Sequence, residues 1–380
     1  MIFPDAMLGL LGGGQLGRMF TLAAHSMGYR VTVLDPDPYS PAGAIADVHI
    51  KAAYQDAEAL QQLADTCAAV TTEFENVPAR SLRWLEAHCT VRPTGGSVEI
   101  AQDRILEKRF LKGGGLPVAP FAEVNAADDC DRAPESLYPG ILKRARFGYD
   151  GKGQALVAGA QEAREAFLAM GLEPCVLEKR VALQREVSVV VARAADGTMR
   201  AFPPAENSHR NGILDVSVVP ARVSAPLAQQ AIEAAQAVAT RLDYCGVLAV
   251  EFFVTADGEL LANEIAPRPH NSGHYTIDAC VTSQFEQQVR TLCGLPLGET
   301  RLLSPVAMVN VLGDAWRHGT PAWDSVFAVP EARLHLYGKH EARPGRKMGH
   351  YTVLGSTPDD ALSRAEAIRT QLSRTKDAAI

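Results

Sequence analysis

Short apolar runs alternate with amphipathic stretches along the first hundred residues. The apolar runs predict strands at Met7–Leu11, Arg30–Leu34, Ala68–Thr72 and Thr90–Arg92. Helical spacing between them predicts helices at Leu16–Met27, Ala57–Thr66 and Ala79–His88. This alternation predicts a parallel sheet with helices on its faces, in a first domain of residues 1–100. A Pro-Thr-Gly-Gly stretch at 93–96 marks the end of that domain.

The pattern changes in residues 101–298, which are predicted to form a second domain. A basic helix at Asp103–Leu111 is followed by three glycines and Pro117, which end it. Strands are then predicted at Gly140–Lys143, Gln154–Val157, Cys175–Lys179, Glu186–Ala192, Met199–Phe202 and Val216–Pro220. The interspersed helices are predicted at Pro226–Leu242 and Ser283–Cys293. Antiparallel sheets of an α+β fold are therefore expected here, before a small C-terminal domain of residues 299–380 that ends in a helix near Asp359–Arg374.

Composition limits the classes of function. A chain of 380 residues with 47% hydrophobic and 21% charged residues suits two or three globular domains. A net charge of -7 argues against a nucleic-acid partner bound through a broad basic surface. The seven cysteines are scattered without a C-x-x-C pair, which is typical of a reduced protein without a zinc site. No apolar run approaches the ~18 residues of a membrane span, so we expect a cytoplasmic protein with no membrane partner.

A predicted β-hairpin carries two facing carboxylates. Apolar runs on each side of Asp257 and Gly258 predict a two-residue turn, which places Glu251 directly opposite Glu264. Like charges that face each other destabilise a sheet, so a shared divalent cation would explain them. Mg²⁺ is the favoured cation because it binds carboxylates together with substrate phosphates. The alternative is a bulge that shifts the register and turns both carboxylates to water.

Two glycine-rich segments are candidate phosphate sites. Gly12–Gly17 fits G-x-G-x-x-G between a strand and a helix, and Asp35 ends the next strand, as in a dinucleotide-binding domain. The backbone amides of such a loop can hold a phosphate but do not identify the ligand, for which NAD and a nucleotide monophosphate ester are both candidates; a purely structural turn is the third alternative. Gly148–Gln154 joins two strands after Lys143 and could close over a triphosphate, although a mobile turn has similar residues. Downstream, the segment 178–181 could offer backbone to adenine and Glu186 a carboxylate to ribose.

Basic residues follow the second carboxylate. Arg268 and His270 are two positions apart in a proline-rich segment, so in an extended conformation both side chains face the same way. Beside a Mg²⁺ ligand this pair suits a small oxyanion, although either residue alone could be a surface side chain in a loop. The loop Arg343–Lys347 is either a solvated turn or a further phosphate contact.

These motifs together resemble the ATP-grasp fold. More narrowly, they resemble the synthetase family that makes 5-(carboxyamino)imidazole ribonucleotide in purine biosynthesis. The resemblance runs through Gly-Gly-Gly-Gln-Leu-Gly-Arg (12–18), Thr-Glu-Phe-Glu-Asn-Val (72–77), Gly-Tyr-Asp-Gly-Lys-Gly-Gln (148–154), Ala-Pro-Arg-Pro-His-Asn-Ser-Gly-His (266–274) and Arg-Pro-Gly-Arg-Lys-Met-Gly-His (343–350). It implies an ATP-grasp domain between a Rossmann-like N-terminal domain and a small C-terminal domain.

The resemblance also implies a ligand and a role for each candidate residue. ATP would be bound by Arg104, Lys143, Gly148, Tyr149, Asp150, Gly151, Lys152, Gly153, Gln154, Glu178, Lys179, Arg180, Val181, Glu186, His209, Asn263 and Glu264. Glu251 and Glu264 would bind Mg²⁺, and Arg268, His270 and Lys347 would line the site of bicarbonate and carboxyphosphate. Aminoimidazole ribonucleotide would be bound by Gly14, Gln15, Leu16, Glu73, Asp150 and Arg346. A homodimer is the oligomer that the family implies.

The implied reaction is an ATP-dependent carboxylation of aminoimidazole ribonucleotide with bicarbonate. Carboxyphosphate, an activated acyl phosphate, would form first, and the amine would attack either it or CO₂ released from it. His270 or Asp150 would be the base that takes the amine proton. Three alternatives remain open from the residues: another ATP-grasp ligase such as a formate-dependent glycinamide ribonucleotide transformylase, an NAD(P) oxidoreductase, and a nucleotide sensor without turnover.

Overall fold

The computed structural model describes residues 1–148 and 153–372. The N-terminal part contains the predicted parallel sheet, with the strand order β3-β2-β1-β4. Its elements are β1 (Met7–Leu11), α1 (Gln15–Ser26), β2 (Arg30–Leu34), β3 (Val48–Ile50), α2 (Ala57–Thr66), β4 (Ala69–Thr72), α3 (Ala79–Glu86) and α4 (Gly95–Gln102). One expectation was wrong, because Thr90–Arg92 makes only an isolated bridge between Val91 and Val70. Gly95 and Gly96, in the stretch predicted to end the domain, begin helix α4.

A small antiparallel sheet follows, in the order β5-β8-β6-β7. Its segment contains α5 (Arg104–Gly113), β5 (Phe121–Val124), α6 (Ala127–Arg132), β6 (Gly140–Arg144), β7 (Gln154–Val157), α7 (Ala160–Ala169) and β8 (Cys175–Lys179). Asp103 caps α5, because its side chain accepts hydrogen bonds from the amides of Ile105 and Leu106. Helix α5 therefore begins at Arg104, a predicted ATP ligand.

A nine-stranded antiparallel sheet forms the centre of the molecule. Its strand order is β14-β13-β9-β11-β12-β15-β17-β16, and β10 pairs with β9. The elements are β9 (Leu183–Arg193), β10 (Met199–Ala201), β11 (Ala205–Arg210), β12 (Ile213–Val219), α8 (Ala225–Arg241), β13 (Gly246–Thr255), β14 (Leu260–Ala266), α9 (Thr276–Ala279), α10 (Gln284–Cys293), β15 (Val306–Leu312), α11 (Asp324–Phe327), β16 (Ala332–Leu336), β17 (Lys347–Leu354) and α12 (Pro358–Leu372). The predicted antiparallel class is confirmed, and the last three strands extend the same sheet.

Helix α10 joins the N-terminal sheet to the central sheet. Its apolar residues Phe285 and Val289 lie in one hydrophobic cluster with residues of α1 and β1. On the same helix, the Gln288 side chain donates hydrogen bonds to Thr71 Oγ1 (3.1 Å) and to the carbonyl oxygen of Thr72 (3.2 Å). The ends of the N-terminal strands are thereby held beside the central sheet. Among the described helices, none is long and apolar enough to cross a membrane.

Candidate active site

The predicted pair of carboxylates is confirmed, although the turn is not the predicted one. Glu251 on β13 faces Glu264 on β14. β13 ends at Thr255 and β14 begins at Leu260, so the loop between them has four residues and not two. That loop offsets the pairing by one residue, since Val254 faces Leu260 instead of position 261. A β-bulge between Glu251 and Phe252 restores the register, because Asn263 is the extra residue on β14.

The bulge also decides which way the side chains of β14 point. Leu260, Ala262 and Ile265 belong to the core beneath helix α8. Regular alternation would place residue 264 on that core face with Ala262. The extra residue breaks the alternation, so Asn263 and Glu264 both lie away from that core. Asn263 Oδ1 is buried and has no hydrogen-bond partner among the residues that the structure describes.

The carboxylate pair lies between an arginine and a histidine side chain. Arg104 Nη2 lies 3.0 Å from Glu264 Oε2, and His270 Nε2 lies 3.1 Å from Glu251 Oε1. Burial and the neighbouring Glu264 raise the pKa of Glu251 to about 7. Burial, reinforced by Arg268 and Lys347, lowers the pKa of His270 well below its usual value, so this imidazole is neutral. The oxygen-rich set of Glu251, Glu264 and the orphaned Asn263 Oδ1 fits a hard cation such as Mg²⁺.

A buried carboxylate anchors two lysines on the side of the small sheet. Glu178 Oε2 lies 3.0 Å from Lys143 Nζ and 3.4 Å from Lys108 Nζ. Burial alone would raise the pKa of Glu178, but the two lysines outweigh it and lower that pKa to about 2. The Glu178 side chain therefore positions the two lysines. Of the predicted segment, Lys179 and Arg180 are exposed and Val181 is half-buried.

Some of the remaining residues that are predicted to bind the nucleotide belong to the described part of the chain. Glu186 Oε2 on β9 lies 2.6 Å from His209 Nδ1 on β11, so this predicted pair is in contact. Both residues act electrostatically on Glu251, which places them beside the acidic pair. Gly148 and Gly153 flank the predicted phosphate loop, of which Tyr149, Asp150, Gly151 and Lys152 lie outside the described residues.

The N-terminal glycine loop is already occupied by carboxylates. Glu73 accepts hydrogen bonds from the amides of Gly14 and Gly17, each 2.8 Å long. Asp35 Oδ2 accepts from the amide of Gly13 and from the Tyr54 hydroxyl, both at 2.6 Å. Three amides of the loop are thus bound to carboxylates, and the phosphate site predicted here stays a prediction that rests on the remaining amides. Glu73 binds the Gly17 amide in the first turn of helix α1, whereas the N-cap residue Gly14 offers no side chain, so the amides of Gln15 and Leu16 are the ones that an anion can approach.

A cationic group that the sequence reading missed borders this loop. Lys339 Nζ donates to Gln15 Oε1 (2.5 Å) and to the carbonyl oxygen of Lys347 (2.7 Å). The signal was available, because Lys339 lies only four residues before the basic loop Arg343–Lys347. Arg346, predicted to contact the phosphate, instead donates from Nη1 to the carbonyl oxygen of Glu341 within its own loop (2.9 Å).

Arg268 and Lys347 connect the two halves of the site. The Arg268 guanidinium donates from Nε to Glu75, another residue that the sequence reading did not select. Lys347 begins β17 and lies close enough to act electrostatically on Glu75 and Glu251. The predicted catalytic set of Arg268, His270 and Lys347 is therefore brought together between the acidic pair and the N-terminal loop.

The fold and this site define an ATP-grasp enzyme. Three family models match in succession: the ribonucleotide synthetase preATP-grasp domain over residues 6–102, the ATP-grasp domain over 109–285, and the phosphoribosylaminoimidazole carboxylase C-terminal domain over 306–364. A curated relative, the N5-carboxyaminoimidazole ribonucleotide synthase of Bacillus subtilis, is 45% identical over 95% of this chain and 94% of its own length. The chain belongs to the N5-carboxyaminoimidazole ribonucleotide synthase family.

Solved structures agree with this assignment. An N5-carboxyaminoimidazole ribonucleotide synthetase in its ADP complex is 46% identical, with a TM-score of 0.92 over 97% of each chain. The Aspergillus clavatus synthase, solved with ADP and 5-aminoimidazole ribonucleotide, is 32% identical, with a TM-score of 0.89 over 97% of this chain and 99% of its own. These neighbours leave no support for the oxidoreductase alternative, and Asp35 already binds Gly13 and Tyr54.

Proposed function

We propose that the protein carboxylates 5-aminoimidazole ribonucleotide with ATP and bicarbonate in purine biosynthesis. A bicarbonate oxygen attacks the γ-phosphorus, the bond to ADP breaks, and carboxyphosphate forms. The amine nitrogen then bonds to the carboxyl carbon, directly or after release of CO₂. Phosphate leaves and the amine loses a proton, which gives 5-(carboxyamino)imidazole ribonucleotide. The observation that carries the proposal is the placement of Arg268, His270 and Lys347 beside the facing carboxylates of Glu251 and Glu264.

Glu251, Glu264 and Asn263 would hold Mg²⁺ together with the phosphates of ATP. When bound, the cation neutralises charge on the transferring phosphoryl group. The fit rests on the two facing carboxylates and on the buried, unpartnered Asn263 Oδ1. Lys143, whose ammonium is held by Glu178, would donate to phosphate oxygens from a rigid strand.

The carboxyphosphate would lie among the basic residues. Arg268 is oriented by Glu75, and its charged guanidinium suits the doubly anionic intermediate. The neutral imidazole of His270 receives a hydrogen bond at Nδ1 from the Ser272 hydroxyl (2.8 Å) when Nε2 carries the proton toward Glu251. In that tautomer His270 donates from Nε2 to Glu251 and so orients it. Nδ1 is then the nitrogen that would accept a proton, and it can do so only after the hydrogen bond from Ser272 is broken.

The ribonucleotide phosphate would bind where helix α1 begins. The amides of Gln15 and Leu16 would donate to it, together with the ammonium of Lys339, which binds the Gln15 side chain at this helix end. Arg346 adds positive charge from the neighbouring loop. Glu73, which anchors the loop through Gly14 and Gly17, would face the sugar side of the ligand. We also expect the protein to be cytoplasmic and to form a homodimer. Light scattering of the purified protein would test the homodimer.

One assay tests the proposed function: ADP release measured with each of aminoimidazole ribonucleotide and bicarbonate omitted in turn. We expect ADP release to require the ribonucleotide and to yield a carboxylated product. Release that depends on formate and glycinamide ribonucleotide would instead identify the formate-dependent ligase. Nucleotide binding without turnover would identify a sensor. Either of these results would overturn the proposal.

A further inference from the structure

We propose that Glu107 and Lys108 of helix α5 are positioning residues that clamp the bulge of β14 and so place Asn263 and Glu264 for Mg²⁺-nucleotide. This inference rests on the proposed function in one respect only, which is that the bound ligand is Mg²⁺-nucleotide. Neither residue belongs to the predicted site, and neither needs to contact a substrate to act. Both are almost completely buried, at 1% and 0% exposure.

The first observation is where their polar groups go. β14 is an edge strand of the central sheet, and its other side pairs with β13. Lys108 Nζ donates to the carbonyl oxygen of Asn263 (2.9 Å), and the Glu107 carboxylate accepts from the amide of Ile265. The neighbouring amide of Ala262 donates to the carbonyl oxygen of Pro117 (2.7 Å). Three contacts from α5 and the segment after it therefore cover the outer edge of β14.

The second observation is the spacing of these contacts. In a regular strand the amides that point to one edge are two or four residues apart. Ala262 and Ile265 are three apart, and both point outward. Only the extra residue Asn263 makes this possible, and the carbonyl that Lys108 binds is that of Asn263 itself. The two side chains thus match the bulged backbone and would not match a regular strand.

The consequence concerns the acidic pair. If β14 slipped by one residue into regular pairing, Glu264 would move to the core face that Ala262 occupies. Asn263 would stay on the opposite face, so the two side chains would no longer lie together in the site. A charged residue in that core is costly, so the sheet needs the bulge, and the bulge needs donors and acceptors for its displaced backbone groups. Glu107 and Lys108 provide one acceptor and one donor at the positions required.

The test uses Mn²⁺ as a paramagnetic probe with ADP, and hydrogen exchange at the β14 peptide. Glu107→Leu removes the acceptor at similar size, whereas Glu107→Gln keeps an oxygen that can accept from Ile265. We expect Glu107→Leu to raise the Mn²⁺ concentration needed for half-saturation about 10- to 100-fold, the range for residues that orient metal ligands. We expect faster amide exchange in the peptide containing Ile265, and Glu107→Gln should restore both properties.

Val238→Ala is the matched control, because Val238 is buried in the same core without a polar contact to β14. It should lower thermal stability and leave the affinity for Mn²⁺ and ADP unchanged. Lys108→Met is the second variant, to be used if Glu107→Leu does not fold. It releases the Asn263 carbonyl and should weaken Mn²⁺ binding and speed amide exchange in the β14 peptide. Because it also removes a partner of Glu178, the amide exchange is the measurement that reports on the clamp.

Two results would overturn the clamp. One is unchanged Mn²⁺ affinity in a folded Glu107→Leu or Lys108→Met protein. The other is an equal loss of affinity in Val238→Ala, which would indicate general loosening of the core. Failure of the proposed function would give a different result from failure of the clamp. The wild type would bind Mn²⁺ and ADP but show no turnover with ribonucleotide and bicarbonate. Amide exchange in the peptide containing Ile265 would still report on the clamp.

Discussion

Glu178→Gln is predicted to destabilise the fold as well as the ATP site. The substitution retains the shape of the side chain but removes the negative charge that Lys143 and Lys108 share. Both lysines are buried, and Arg104 adds a third cation close enough to act on Glu178. The variant would leave these cations without a buried counter-charge, because a glutamine at this position supplies only a neutral amide oxygen.

The magnitude follows from two independent arguments. A glutamate whose pKa falls from 4.5 when unfolded to about 2 when folded contributes about 3 kcal/mol to the free energy of unfolding at neutral pH. Removal of one member of a buried ion pair costs about 3–5 kcal/mol. Lys143 acts in the opposite direction, because burial lowers its pKa despite Glu178. We therefore take about 3 kcal/mol, the lower end, as the expected loss.

The assay is urea unfolding of both proteins, followed by circular dichroism at pH 7 and pH 5.5. The folded-state pKa of Glu178 is depressed, so its contribution is complete above about pH 4.5 and is lost only as pH falls toward 2. The difference between wild type and variant should therefore be equal at both pH values. Glu123→Gln on the adjacent strand is the control: its exposed pair with Arg109 should change stability by less than about 1 kcal/mol. Two results would refute the reasoning. One is a loss of unfolding free energy in Glu178→Gln that is smaller than the loss in Glu123→Gln, and the other is a loss that becomes smaller between pH 7 and pH 5.5.

Three further predictions concern the site. Glu264→Ala should abolish turnover by removing a Mg²⁺ ligand, and a normal kcat would contradict that assignment. Gly14→Ala would place a Cβ 2.7 Å from Glu73 Oε1 and displace that carboxylate, which should raise KM for the ribonucleotide. Gly96→Ala, whose Cβ would meet no atom within 4 Å, should leave KM unchanged. Lys339→Met should raise KM for the ribonucleotide about tenfold or more, since one charged hydrogen bond contributes about 1.5–3 kcal/mol, and should leave KM for ATP near its wild-type value; an increase confined to ATP would place Lys339 in the other site.

The hairpin shows how far sequence patterns reach. Asp257 and Gly258 correctly indicated a turn, and the facing of Glu251 and Glu264 was correct. The turn that was expected to produce this register was wrong. The loop is longer than two residues and shifts the pairing by one residue, and the bulge at Asn263 shifts it back. A bulge depends on contacts with α5, some 155 residues earlier in the chain, and no local pattern records such contacts.

Other misses have similar causes. The strand Ala205–Arg210 escaped prediction because its sequence is mostly polar, yet it pairs on both sides within the central sheet. The glycine loop was correctly placed between strand and helix, but its capture by Glu73 depends on β1 and β4 lying side by side. The domain limits at 1–100, 101–298 and 299–380 stay predictions, since strands β15–β17 continue the sheet of the preceding segment.

The covered edge of β14 also matters for solubility. An edge strand with unpaired N–H and C=O groups is a template for a strand from another molecule. Here the apolar sequence of β14 has its outward groups bound by Pro117, Lys108 and Glu107, so no intermolecular strand can add at those positions. Substitutions on helix α5 would therefore uncover an aggregation-prone edge as well as disturb a binding site, and the soluble yield of such variants should fall together with their affinity for nucleotide.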